Sequence, residues 1–161
     1  MKAMSMRQAR RYLKKADPVM AGLVLRLRLQ ERRGRRNYFQ ALAVAIINQQ
    51  LSTKAADAIE GRFRALFAPA RFPAPAQVLR KSDCRLRGAG LSYQKIGYLK
   101  SLAKLVQAGR IEFKKFAGMD DEAVIAQLTQ IKGVGRWTAE MFLMFCLNRP
   151  DVFAHGDLGL Q

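Results

Sequence analysis

The amino-acid sequence predicts an all-α fold. Along most of the 161-residue chain, apolar residues recur at spacings of three and four, the pattern of helices that bury one face. Polar caps and glycine or proline breaks divide this pattern into about eight helices, and no segment repeats another. No stretch alternates β-branched with polar residues over a length that indicates a strand. The length is that of one domain with a core of its own.

The first half of the chain contains three of these helices. Asp17 and Pro18 suit the N-cap and the first position of a helix, and apolar residues follow at spacing four: Val19, Leu23 and Leu27. Residues 38–48 are almost entirely apolar, which predicts a helix buried on most sides. After a short polar interruption, Ser52 is a candidate N-cap for a helix that runs to about Phe67. Prolines in the segment that follows predict a loop.

The second half of the chain predicts five more helices, which lie at 76–80, 82–87, 93–108, 121–130 and 136–147. Between the last two, Gly133 and Gly135 allow the chain to turn sharply without the steric cost of a Cβ atom. Their backbone N–H groups lie at the start of the helix that begins at Arg136, where the helix dipole favours an anion. The sequence therefore predicts a turn that binds a phosphate, with the carboxylate of Asp157 a short distance downstream.

The chain is strongly basic, with 29 Lys and Arg against 12 Asp and Glu and a formal net charge of +17. Such an excess favours a polyanionic partner, most simply nucleic acid. Residues 1–36 form a basic N-terminal segment, which we expect to add an attraction to phosphates that does not depend on base sequence. The alternative is that the excess charge, including the run Arg32–Arg36, is only a solvated surface or linker.

The cysteines and the apolar stretches narrow the class of protein further. Cys84 and Cys146 stand far apart and outside any metal-ligand spacing, so we expect free thiols in a cytoplasmic protein. No apolar stretch is long enough to span a bilayer, and no signal peptide is recognisable. Without a four-cysteine cluster or a zinc or nucleotide-binding motif, we expect no iron–sulfur cluster and no required cofactor.

Four segments carry a resemblance to a known family: Gly133–Ala139, Asp151–Gln161, Asn48–Ser52 and Ala89–Lys95. They resemble the helix-hairpin-helix (HhH-GPD) superfamily of DNA glycosylases and, within it, the 3-methyladenine DNA glycosylase II group. The resemblance covers most of the chain and implies a single, two-lobed helical domain over residues 1–161, with the base pocket at the cleft. The helices that follow the catalytic Asp in the family are missing, so we expect a fold truncated after that residue.

The resemblance also implies the roles of individual residues. Asp157 matches the Asp that is essential for catalysis, and the loop at Gln50 and Leu51 matches the one that enters the duplex and fills the gap left by the extruded base. The contacts to DNA are then expected from Gln50, Leu51, Ser52, Lys132, Gly133, Val134, Gly135 and Arg136. A monovalent cation (Na⁺ or K⁺) is expected on the main-chain carbonyls of Thr129, Ile131 and Val134.

The function implied is that of a monofunctional glycosylase of DNA base-excision repair, acting as a monomer at the bacterial nucleoid. Its partner would be double-stranded DNA with alkylated purines such as 3-methyladenine or 7-methylguanine. Breaking the glycosylic bond develops positive charge on the sugar, which a carboxylate stabilises while water attacks. An alkylated purine is already cationic and leaves well, so one acid suffices, and an abasic site remains.

The helix that follows the turn supplies the residues expected at the base. Trp137 stands where relatives that also cut the strand carry a lysine nucleophile, and an indole cannot form a Schiff base. Its ring either stacks on a cationic flipped base or packs in the core beneath the hairpin. Met141, one turn later, is the residue of this helix that we expect to reach the pocket, whereas most of its other apolar side chains belong to the core.

Other interpretations stay open at this point. Asp157 could be a helix N-cap rather than a catalytic acid. Gln50 and Leu51 could simply join two helices, and His155 is either a polar surface residue or a participant in catalysis. For the whole chain, the alternative function is a non-catalytic helix-hairpin-helix module that binds DNA.

Overall fold

The structure is a computed structural model that describes residues 5–27, 34 and 37–160. All regular structure in this part of the chain is helical, as predicted, and no strand occurs in it. One 3-10 helix spans Phe113–Gly118. The α-helices, in chain order, are α1 Met6–Ala16, α2 Pro18–Arg26, α3 Tyr38–Asn48, α4 Thr53–Ala65, α5 Pro75–Arg80, α6 Asp83–Gly88, α7 Tyr93–Gln107, α8 Asp121–Leu128 and α9 Arg136–Phe145. None of them is long and apolar enough to cross a membrane.

Helix α1 is an element that the sequence analysis does not predict. It begins with a capping box, in which Ser5 Oγ accepts from the Gln8 N–H and the Gln8 side chain accepts from the Ser5 N–H. None of its residues is buried, and five of its eleven residues are Arg or Lys, so its short apolar row at spacings of three and four is a weak signal in the sequence. Its contacts are mainly with α2. Of the basic N-terminal segment, the run Arg32–Arg36 lies outside the described residues except for Gly34.

Helix α2 begins as predicted, since the Asp17 carboxylate accepts from the Met20 N–H at 2.8 Å. The apolar row at spacing four nevertheless remains largely in solvent, with Val19 70% and Leu27 54% exposed. The one buried residue of this helix is Val24, whose carbonyl also accepts a hydrogen bond from Arg10 of α1. The spacing therefore indicated the helix correctly, but tertiary packing decided which face is covered.

The core lies among α3, α7, α8 and α9. Helix α3 is buried on most sides, as predicted, with Leu42, Ile46 and Ile47 almost without exposure. It packs against α4, α7 and α9, and most of the buried residues of the described chain form one continuous cluster. Ser52 caps α4 as predicted, and Ser92 caps α7 in the same way, each accepting from the N–H three residues on. Helices α3, α7 and α9 form the walls of a cleft.

Candidate active site and nucleic-acid interface

A cleft of about 730 Å³ lies between α3, α7 and α9. Helix α9 contributes apolar side chains to it, with Trp137, Met141 and Phe145 spaced along one face. The end of α3 and the start of α7 contribute polar groups, among them Gln49 and Lys95. A concave, mainly apolar site with a few polar groups is typical of a small planar ligand such as a nucleobase.

Trp137 joins this cleft to Asp157. Its indole Nε1 donates to the Asp157 Oδ2 at 2.9 Å, and the Gly159 N–H donates to Oδ1 at 2.8 Å. These bonds, that of the indole first, lower the pKa of the Asp157 carboxyl below its ordinary value because both stabilise the charged form. The indole ring is 48% exposed and lines the cleft. Core packing beneath the hairpin, one of the two alternatives for Trp137, is therefore not its role.

Asp157 begins a turn that includes residues 158–160. Its own N–H donates to the Ala154 carbonyl at 3.0 Å, and buried Ala154 anchors this segment. The Asp157 side chain accepts from the Gly159 N–H at 2.8 Å, and its carbonyl accepts from the Leu160 N–H at 2.9 Å. An N-cap residue can make both bonds, so the N-cap alternative stays open. The same carboxylate lies beside the cleft through its bond to Trp137.

The turn at residues 129–135 requires a glycine at one position only. Gly133 has φ +81°, and a Cβ atom on it would come within 2.1 Å of the Tyr98 ring. Gly135 has φ −89°, and a Cβ there would meet nothing within 4 Å. The conformational freedom expected of both glycines is therefore used at Gly133 but not at Gly135. This residue is instead the N-cap of α9, it has no side-chain cap, and the space beside it is open.

The other predicted hairpin contacts differ in what they offer to DNA. The Lys132 side chain is exposed, while its N–H donates to Ser101 Oγ at 3.4 Å. Val134 is only 4% exposed, so its side chain belongs to the core. Its backbone N–H donates to the Ile131 carbonyl at 3.0 Å, so a phosphate would have to compete with this bond.

Arg136 is committed to ion pairs within the protein. Its guanidinium meets both carboxylate oxygens of Glu122, and its Nε lies 3.0 Å from the Oε1 of buried Glu140. The Glu122 hydrogen bond raises the pKa of Arg136 and lowers that of Glu122. A DNA phosphate would have to compete with these carboxylates for the side chain, whereas the backbone N–H of the same residue lies in the first, uncapped turn of α9.

The loop after α3 contains three residues that are predicted to contact DNA: Gln50, Leu51 and Ser52. Gln50 is exposed, lines the cleft and has φ +55°, the left-handed region that few non-glycine residues adopt. Leu51 is half-buried. The Ser52 hydroxyl accepts from the Ala55 N–H at 3.4 Å, so it caps α4. Insertion of Gln50 and Leu51 into a duplex stays a prediction that this geometry permits.

Two residues that sequence reasoning did not assign hold this loop in place. Gln49 Nε2 donates to the Gly133 carbonyl of the hairpin at 2.7 Å. Lys95 Nζ donates to the carbonyls of Ile47 and Gln49, each at 2.7 Å. Burial lowers the pKa of Lys95. The Gln49 contact spans 84 residues, so no local pattern in the sequence indicates it.

Phe145 differs from the sequence prediction, whereas Met141 agrees with it. The side chain of Phe145 is 43% exposed and lines the cleft, although most apolar residues of this helix were expected in the core. Met141 reaches the cleft, as predicted. His155 is exposed, and its ring lies edge-on to Phe153 at 4.9 Å. Both interpretations of His155 stay open.

The carbonyls predicted to hold a cation lie on the hairpin turn. The Ile131 carbonyl accepts from the Val134 N–H at 3.0 Å, so its second lone pair remains available to a cation. Within the described residues, no backbone N–H of a turn or loop donates to the carbonyls of Thr129 or Val134. The Thr129 hydroxyl is directed to the carbonyl of Ile125. The donor set is compatible with a weakly bound monovalent cation, which stays a prediction.

Together these features define an all-helical helix-hairpin-helix protein whose turn stands beside a cleft with an ionised carboxylate. A family model described as "HhH-GPD superfamily base excision DNA repair protein" matches residues 43–161. The chain belongs to this superfamily.

Two curated relatives carry related names. DNA-3-methyladenine glycosylase 1 of Schizosaccharomyces pombe is 41% identical over 124 residues, which are 76% of this chain and 54% of that protein. DNA-3-methyladenine glycosylase of Saccharomyces cerevisiae is 36% identical over 136 residues, which are 77% of this chain and 44% of that protein. The chain thus spans about half the length of the curated relatives it matches.

Solved structures agree with the fold. A DNA-3-methyladenine glycosidase from Bacillus halodurans superposes with a TM-score of 0.86 at 38% identity, over 99% of this chain and 74% of that one. The 3-methyladenine DNA glycosylase of Schizosaccharomyces pombe, solved in complex with abasic DNA, gives a TM-score of 0.79 at 35% identity, over 94% of this chain and 76% of that one. The predicted all-α glycosylase-like fold is confirmed.

Proposed function

We propose that this protein is a monofunctional DNA glycosylase that removes alkylated purines, such as 3-methyladenine or 7-methylguanine, from double-stranded DNA. The observation that carries the proposal is the hydrogen-bonded pair of Trp137 and Asp157 beside the cleft. It puts an ionised carboxylate next to an exposed aromatic ring, which are the two groups that the reaction requires. The names of the relatives, and the abasic DNA bound to one of them, support the same substrate class.

The chemistry follows from the charges. An alkylated base turned out of the duplex enters the cleft, where the face of Trp137 attracts its positive charge. The glycosylic C–N bond then breaks, and its electron pair goes to the base, which leaves neutral. Positive charge develops on the sugar and is stabilised by the Asp157 carboxylate. Water adds to the sugar carbon and gives up a proton, so the products are free base and an abasic site. No lysine stands at position 137, so no Schiff base precedes hydrolysis.

The direct test is single-turnover release of 7-methylguanine from a defined duplex, with the abasic strand detected by alkaline cleavage. Release by the wild-type protein supports the proposal. Salt-dependent binding to the duplex without release would instead favour the alternative of a non-catalytic binding module. Trapping of the protein on DNA by borohydride would contradict the monofunctional assignment.

Removal of the indole N–H tests how Asp157 stays ionised. Because that hydrogen bond is the largest contribution that lowers the Asp157 pKa, Trp137→Phe is expected to raise it while keeping an aromatic face in the cleft. If the reaction needs the charged carboxylate, the acid limb of the rate–pH profile will move to higher pH. The measurement is the single-turnover rate from acidic to neutral pH. An unchanged acid limb would show that this bond does not control the reacting group.

The remaining features of the proposal follow the resemblance. We infer that no cofactor is required, that a Na⁺ or K⁺ ion binds the carbonyls of Thr129, Ile131 and Val134, and that the protein acts as a monomer. The cytoplasm, at the nucleoid, is the proposed location, and the lack of a disulfide between Cys84 and Cys146 supports a reducing compartment.

A further inference from the structure

We propose that Gln49 and Lys95 are positioning residues that lock the loop 48–51 to the hairpin at Gly133, so that the free protein holds the two DNA-contacting elements at the spacing needed for base extrusion. The inference rests on the proposed function, because it assigns the extrusion step of that reaction to two residues with no part in bond breaking. Three observations carry it: a direct bond between the elements, a common support beneath them, and a constrained backbone at the tip of the loop.

The direct bond is the one from Gln49 Nε2 to the Gly133 carbonyl at 2.7 Å. Gly133 belongs to the turn that is proposed to bind a phosphate, and Gln49 immediately precedes Gln50, the residue that is proposed to enter the duplex. A single side chain therefore spans the distance between the two elements. This bond is part-buried, where a hydrogen bond is shielded from competition by water.

The common support is helix α7. Lys95 near its N-terminus donates to the carbonyls of Ile47 and Gln49, each at 2.7 Å. These carbonyls lie at the C-terminal end of α3, where backbone acceptors lack partners within the helix and the helix dipole favours a cation. One turn further on, Tyr98 lies directly against Gly133. The same helix thus holds the loop through Lys95 and the hairpin through Tyr98.

The constrained backbone is that of Gln50. Its φ of +55° is uncommon for a residue with a side chain, and it persists only where the neighbouring structure imposes it. Gln49, on one side of it, is fixed by both its side chain and its carbonyl. The exposed Gln50 side chain is therefore presented beside the cleft before DNA binds, and little ordering of the loop remains to be done during extrusion.

Loss of the lock should slow extrusion of a paired base more than hydrolysis of one that is already unpaired. The variants are Gln49→Ala and Lys95→Met. Their controls are Gln107→Ala and Lys104→Met, which remove the same side chains from exposed positions of α7 outside the cleft. Each protein is assayed by single-turnover release of 7-methylguanine, placed either opposite cytosine or opposite an abasic-site analogue. Circular dichroism and thermal unfolding establish that each variant is folded.

We expect both lock variants to release the paired lesion about tenfold more slowly than their controls, the factor that one lost hydrogen bond of ordinary strength produces. On the unpaired lesion the difference should fall below about threefold, because extrusion then costs little. Lys95→Arg, which retains donors for both carbonyls, should restore most of the rate on the paired lesion.

Other results would overturn the inference. Equal slowing on the two duplexes would show a general structural defect rather than a role in extrusion. Lock variants that match their controls on both duplexes would show that the lock has no part in the reaction. Wild-type protein that releases no base from either duplex would contradict the proposed function itself, and this inference with it.

Discussion

Replacement of Asp157 by asparagine is expected to lower the single-turnover rate of base release by a factor of about 10² to 10³, the effect of removing one group that stabilises charge in the transition state. The asparagine amide has nearly the same shape, and its oxygen can still accept from the Trp137 indole or from the Gly159 N–H. The substitution therefore removes only the negative charge of the Asp157 side chain. Binding to undamaged duplex should remain, or become slightly tighter, because a negative charge has been removed from a surface near DNA.

Asp151 provides the matched control for this experiment. It is an exposed aspartate six residues earlier in the same segment, and no hydrogen bond or ion pair is found for it in the described structure. Asp151→Asn changes the net charge by the same amount and should keep the wild-type rate. If the Asp157→Asn protein releases base as fast as this control, Asp157 is not the catalytic acid and the proposed mechanism fails.

The second large effect is expected at the hairpin, where alanine at either of two glycines should weaken DNA binding but only one substitution should also reduce stability. Gly133→Ala forces a side chain into the left-handed region at φ +81° and drives its Cβ against the Tyr98 ring. The two penalties together should reduce the free energy of unfolding by about 2–4 kcal/mol. Because the backbone must move to relieve them, affinity for DNA should fall as well. Urea unfolding and a DNA-binding titration measure the two effects.

Gly135→Ala is the informative partner of this variant. Its φ of −89° suits alanine and its would-be Cβ meets open space, so the free energy of unfolding should change by less than about 0.5 kcal/mol. If a phosphate approaches the uncapped start of α9, the added methyl group should still weaken DNA binding by about tenfold, as one displaced hydrogen bond to a charged group would. Unchanged affinity in a stable Gly135→Ala protein would argue against phosphate binding at this turn.

Most of the helices could be predicted because their signals are local. Asp17, Ser52, Ser92 and Asp120 cap the helices that follow them through bonds to the N–H three residues later. Helix α1 was harder to predict, because its apolar row is short and lies within a basic segment, and none of its residues is buried. The faces of α2 and α9 were harder to assign, since the exposure of Val19 and Phe145 depends on what packs against them.

The candidate site was predictable in part. The motif around Gly133 and the spacing to Asp157 indicated the hairpin and the candidate acid, because both belong to one continuous stretch of sequence. The sequence left two roles open for Trp137, and the structure adds one that was not considered, that of hydrogen-bond donor to the acid. No local pattern indicated that the Arg136 side chain pairs with Glu122 or that the Val134 side chain is buried in the core. Both facts depend on residues distant in the sequence.

Composition and local patterns are enough to establish that the chain is helical and basic, and that it contains a glycine turn followed by a carboxylate. These properties depend on residues a few positions apart, so they can be recognised without knowledge of the fold. Which groups meet in space could not be recognised in this way, as the contact of Gln49 with Gly133 across 84 residues shows. Such contacts follow from the packing of whole helices, which brings together residues that share no pattern along the chain.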